Sequence, residues 1–145
     1  VPAADALTTV RATTWEFQVS DRDAGADYAD MIGGILFTRS RQPLPTWQTL
    51  RPIAFFATAL GEPRLTDAEQ LRAEALALRR SLRFVLQLMI DGDNAWMYRD
   101  ASRARGAVRS ALWDHTCTLE ASSLALIAIA DTLHSSERRA SQPSP

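Results

Sequence analysis

Arg109 and His115 are the pair of side chains in this 145-residue sequence best suited to catalysis. An arginine can stabilise developing phosphate charge while a histidine six positions away moves a proton. Three other constellations invite chemistry. Asp131 and His134 stand at i and i+3, so on a helix they share a face, as metal ligands of helical bundles do, but no second copy of the pair exists. Asp91-Gly92-Asp93-Asn94 opens like a calcium loop but has no downstream glutamate or central glycine, which makes it a turn between helices. Cys117 lies two residues from His115, and on a helix that spacing sends the side chains apart. No zinc signature, glycine-rich phosphate loop or nucleophile elbow is present, and no cofactor is expected.

The spacing Arg109-x5-His115 is similar to the Arg-x4–6-His pattern of HEPN-family ribonucleases. That resemblance implies metal-independent RNA cleavage at a dimer interface on a helical bundle, with Arg109 and His115 as the catalytic pair. It covers seven residues, and Ser110 stands where the family more often has an amide, an acid or an imidazole.

Composition bounds the remaining classes. All 16 Lys+Arg positions are arginine, Asn94 is the sole asparagine, and the net charge is −1. The joint loss of lysine and asparagine points to a GC-rich genome, bacterial or phage, because phosphate recognition gives no reason to avoid asparagine. A near-neutral chain is not histone-like. One cysteine excludes an intrachain disulfide. The longest uncharged runs, 52–61 and 121–130, are about half a membrane span of roughly 20 residues, so no membrane partner is expected. A cytoplasmic location is the expectation, with export left open because the first residue is Val1.

The elements that must position these residues read as helices. Thr66-Asp67-Ala68-Glu69 has the form of a capping box led by Thr66. Leu71, Ala75, Leu78, Leu82, Val85 and Met89 then form one helical stripe, ended at Gly92 by a left-handed turn. A second helix is expected from about Ala95 to Trp113, with Met97, Ala101, Ala104, Val108 and Ala111 inside. Gly106 would weaken it by roughly 1 kcal/mol. A third helix, capped by Asp114, would run to about Ser136. Leu119, Leu124, Leu126, Ile127, Ile129, Ala130 and Leu133 make it apolar on nearly every side, which implies burial within the domain or against a partner chain.

In the first half, residues 3–20 read as helix or as strand, with helix preferred because no second strand is evident. Tyr28, Met31, Ile32, Ile35 and Leu36 suggest a helix broken at Gly33-Gly34, and Pro43 and Pro45 a linker. Thr46 is a cap, Pro52 a first-turn residue, and Gly61 and Pro63 a stop. The fold expected is all-α: a compact single-domain bundle of five or six helices over 1–134, with a mobile tail over 135–145.

Two surfaces complete the expectations. Eight of the arginines fall between Arg72 and Arg109. Arg72, Arg79, Arg80 and Arg83 on one helix and Arg99, Arg103, Arg105 and Arg109 on the next would form a positive, nucleic-acid-binding face if adjacent. Trp47, in a loop, and Trp96 are candidate partner-binding anchors, since tryptophan is enriched at interface hot spots. The function these features favour is a non-enzymatic helical interaction or regulatory module, binding a protein partner or itself as a homodimer. A nucleic acid is the alternative partner.

Overall fold

The computed structural model describes residues 3–37 and 44–141. Among them are six α-helices and no strand: α1 (Ala3–Glu16), α2 (Asp21–Ala24), α3 (Leu50–Gly61), α4 (Ala68–Leu88), α5 (Ala101–Ala104) and α6 (Leu119–Ala140). Single turns of 3-10 helix cover Ala29–Met31, Trp47–Thr49 and Ala95–Met97. The all-α class expected from periodicity is the class found.

The centre is α3. Leu50, Ile53 and Phe56 are fully buried, with Ala57 and Leu60 beside them. Against this helix pack Leu78, Phe84, Val85 and Leu88 of α4 and the small residues Ala121, Ala125 and Ala128 of α6. Trp15 of α1 lies on Phe56 with ring centroids 4.5 Å apart. Alanines on α6 let its backbone approach α3 closely, and bulk comes from the α3 side.

One buried ionic group ties four segments together. Arg11 on α1 donates to Glu74 on α4 at 2.6 Å, to the Leu65 carbonyl and to the Thr66 hydroxyl. Thr66 in turn donates to the Ala59 carbonyl near the end of α3. Loss of one member of such a buried pair typically costs about 3–5 kcal/mol, because the other charge is stranded. Thr66 is thus buried rather than a cap. Asp67 caps α4, in a capping box with Gln70 one residue beyond the expected one.

Three expected helices are corrected. The Tyr28–Leu36 segment is a 3-10 turn followed by extended chain. Phe17 to Val19, just beyond α1, pairs antiparallel with it, as Val19 N donates to Gly34 O and Leu36 N to Phe17 O. Both readings of residues 3–20 therefore contribute, helix first and a short extended piece after it. The reason is Gly33: its φ is +91°, and a Cβ there would sit 2.2 Å from the Arg80 carbonyl oxygen on α4. Ser81 and Gln18 secure that approach, with the Ser81 hydroxyl donating to Gly33 O and Gln18 Nε2 donating to Ser81 Oγ.

The expected helix from Ala95 to Trp113 is likewise absent. Only α5 is helical there beyond one 3-10 turn. Gly106 adopts φ +82°, and the chain then runs back along the end of α4. Gly106 N donates to Ile90 O, Ile90 N to Ala107 O and Arg109 N to Leu88 O. These bonds to residues 88–90 replace the helical ones. They also end α4 at Leu88, before Gly92, whose φ is not positive.

The third correction concerns α6. Thr118, not Asp114, caps it, accepting from Ala121 N. It continues to Ala140, so residues 135–140 are helix and not tail. Ser135 donates to the Ala57 carbonyl, and Arg139 to the carbonyls of Leu60 and Thr66. Pro43 and residues 142–145 lie outside the described residues.

Gly33 and Gly106 separate backbone strain from steric contact. Gly33→Ala is expected to destabilise more than Gly106→Ala, because nothing lies within 4 Å of a Cβ at Gly106. Gly106→Ala should cost only the left-handed penalty of about 1–3 kcal/mol. Urea denaturation of both variants checks this; equal losses would contradict the close approach to α4.

Candidate interaction surface

A helix has 3.6 residues per turn, so Ala121, Ala125 and Ala128 gather on one side of α6 and Leu119, Leu126 and Leu133 fall nearly opposite. The first set is buried against α3. The second is 85%, 71% and 59% exposed, with Ile127 half exposed beside it. Down the middle of this outer face run Ser123 and Ala130, both exposed. From Ala121 to Ser136 the sole charged residue is Asp131. It is half-buried on the flank, where it accepts from the Thr58 hydroxyl. The outer face of α6 is therefore a long apolar strip free of charge until Glu120 at one end and Glu137 at the other. Exposed contiguous apolar surface of this kind marks interaction sites on folded proteins.

Trp96 and Trp113 are also exposed, Trp96 by 77%. Trp47 is not a free anchor. It packs against the core, its backbone N–H donates to Ser110 O, and the Arg51 guanidinium lies 5.4 Å from its ring centroid. Its neighbour Thr46 caps the 3-10 turn as expected.

Arg109 and His115 sit on one hairpin, held by the antiparallel pairing of Arg109 with Cys117. The Arg109 guanidinium donates to the Gln87 carbonyl near the end of α4 at 2.8 Å. His115 is exposed and meets Tyr98 edge-on, ring centroids 6.3 Å apart. Burial, followed by the adjacent Cys117, pushes the Tyr98 phenol above its ordinary range, while Arg109 pulls the other way. Hydrogen bonds from Thr116 hold the Asp114 carboxyl below the usual range and fix the hairpin turn. Cys117 is exposed, not buried. Among the described residues no cluster of three metal-ligating side chains occurs. Asp131 is engaged with Thr58, and the Asp91–Asn94 turn is closed by Asp91 and Asn94 bonding to its own backbone.

The two arginine rows part company. Arg72, Arg79 and Arg83 share one exposed stripe of α4, interleaved with exposed Leu76 and Leu86. Arg80 lies 3.5 Å from Asp21. Arg99, Arg103 and Arg105 are exposed but lie on irregular chain and on the single turn of α5, so no second helical row runs beside the first.

No described helix is long and apolar enough to cross a membrane. No protein-family model matches the chain, and neither the curated proteins nor the solved structures compared with it contain a match.

The two faces of α6 make opposite demands on substitution. Leu126→Gln is expected to change stability by less than about 0.5 kcal/mol in dilute solution, as for other exposed positions. Ala125→Leu should cost about 1–3 kcal/mol by overpacking the contact with α3. Denaturant titration of each at low protein concentration measures the contrast.

Proposed function

We propose that this chain is a non-enzymatic helical interaction and regulatory module that works through protein–protein contacts. The observation supporting it is the outer face of α6, where Leu119, Leu126, Ile127 and Leu133 line an uncharged strip that nothing in the chain covers among the described residues. Burying apolar surface of this kind yields roughly 25 cal/mol per Å², which makes the strip a source of association energy. Trp96 and Trp113 add exposed aromatic area of the sort that anchors interfaces. Leu126→Glu combined with Leu133→Glu tests the reading. The doubly substituted chain should keep its helical circular dichroism. It should also lose both self-association and any chain that co-purifies with the wild type from its source cells. Unchanged recovery of the same assemblies would overturn the assignment.

A second reading, nucleic-acid binding, is favoured by the single stripe of Arg72, Arg79 and Arg83 on α4. Phosphate contacts make binding salt-dependent, with a log–log slope of about −0.9 per contact for duplex DNA. Replacing the three with glutamine should flatten the salt dependence of DNA retention by roughly two to three contacts. Identical retention of wild type and variant would dispose of this reading.

A further inference from the structure

We propose that the outer face of α6 is covered by α6 of a second copy of this chain, the two helices running antiparallel about a two-fold axis. The proposal rests on the interaction reading above and names its partner. It stands on the pattern of side chains along the exposed strip. Leu119, Leu126 and Leu133 recur every seven residues, the spacing that keeps one ridge facing a neighbouring helix. Ser123 and Ala130 stand in the alternate positions of the same seam, four residues after one leucine and three before the next. Ridge and gap therefore belong to a single face.

In the antiparallel arrangement, seam positions pair so that Leu126 lies opposite Ala130 of the second copy and Leu133 opposite Ser123. The two-fold axis repeats each contact in reverse. The four inner layers then each join one large and one small residue, the combination that fills space without strain, and at each end Leu119 lies against the aliphatic stem of Glu137, whose carboxylate reaches solvent. Ile127 falls beside its own counterpart near the axis. On the flanks Glu120 faces His134 of the second copy, an acceptor toward a donor, at both ends of the contact. Glu120 also accepts from Arg51 at 2.8 Å on its own chain, so its second oxygen is the one that would face outward.

The parallel alternative is poorer on each count. It would set Leu against Leu, leave gaps at Ser123 and Ala130, and bring Glu137 against Glu137. An unrelated partner would need no small residues matched to its host's own leucines. The α6 strip meets the requirement of an isologous two-fold interface, in which one patch complements itself. Its length of about 33 Å gives room for all six layers.

Analytical ultracentrifugation and site-specific disulfide formation test this in the full chain with Cys117→Ser. The wild-type sequence should pass from one to two copies as concentration rises through the micromolar range. Leu126→Glu with Leu133→Glu should hold it as a single copy. Ile127→Cys should form a covalent dimer on oxidation. Leu119→Cys should not, because antiparallel helices place those positions about 27 Å apart along the axis. Crosslinking through Leu119→Cys would establish the parallel pair and overturn the proposal. A dimer that survives the two glutamates would place the contact on another face and overturn it too. A single copy at every concentration would remove the second copy as occupant. In that last case a co-purifying chain lost on Leu126→Glu/Leu133→Glu would still support the interaction reading, whereas no such chain would end both.

Discussion

The contact between α3 and α6 constrains everything around it. It is made by alanines on one helix, with Leu124 beside them, and by Leu50, Ile53 and Leu60 on the other. Small residues bring the helix axes close, and that closeness fixes the rotation of α6 about its own axis. Once Ala121, Ala125 and Ala128 face inward, helical geometry sends Leu119, Leu126 and Leu133 outward. A helix that is apolar on all sides has then turned its alanines and Leu124 toward the domain core and left Leu119, Leu126 and Leu133 on the surface.

The same contact organises the rest of the core. α4 closes the other side of α3, and the Arg11–Glu74–Thr66 group fastens α1 and the 62–67 loop to both. The end of α6 is drawn in as well. Ser135 and Arg139 supply hydrogen bonds to carbonyls of α3 and of the loop after it. Gly61 allows this, since a Cβ there would meet Ser135 Oγ at 2.4 Å. α6 is therefore anchored along both its length and its C-terminal end, and its exposed face is a rigid ridge. Rigid presentation matters for association, because a surface already ordered gives up less entropy on binding.

The arginines illustrate how position changes meaning. Arg11 is buried in an ion pair, Arg109 and Arg139 bond to carbonyls, and Arg51 spans Glu120 and Trp47. All four guanidinium groups help hold the fold, using the planar fork that lysine lacks. Arg72, Arg79 and Arg83 on α4 stay exposed, as do Arg99, Arg103 and Arg105. The Arg109–His115 hairpin likewise combines structural tasks, with Asp114 and Thr116 shaping its turn and Tyr98 packed beside it.

The sequence by itself determined the helical class, the stripe of α4, the start and stop of α3 near Pro52 and Gly61, and the all-round apolar character of α6. Each is local. Periodicity of 3.6, capping residues and helix breakers act within a turn or two of where they stand. It also left open whether α6 is buried within the domain or against a partner chain. Only the tertiary structure decided which face went inward, since alanine and leucine compete equally in a pattern and are separated by how closely α3 lets them approach. Tertiary contacts also set the fate of Tyr28–Leu36 and of Ala95–Trp113. Both carry helical spacing, and both are extended where Gly33 passes under the Arg80 carbonyl and Gly106 turns the chain back along α4. Long-range hydrogen bonds satisfied those backbones, and periodicity carries no record of them.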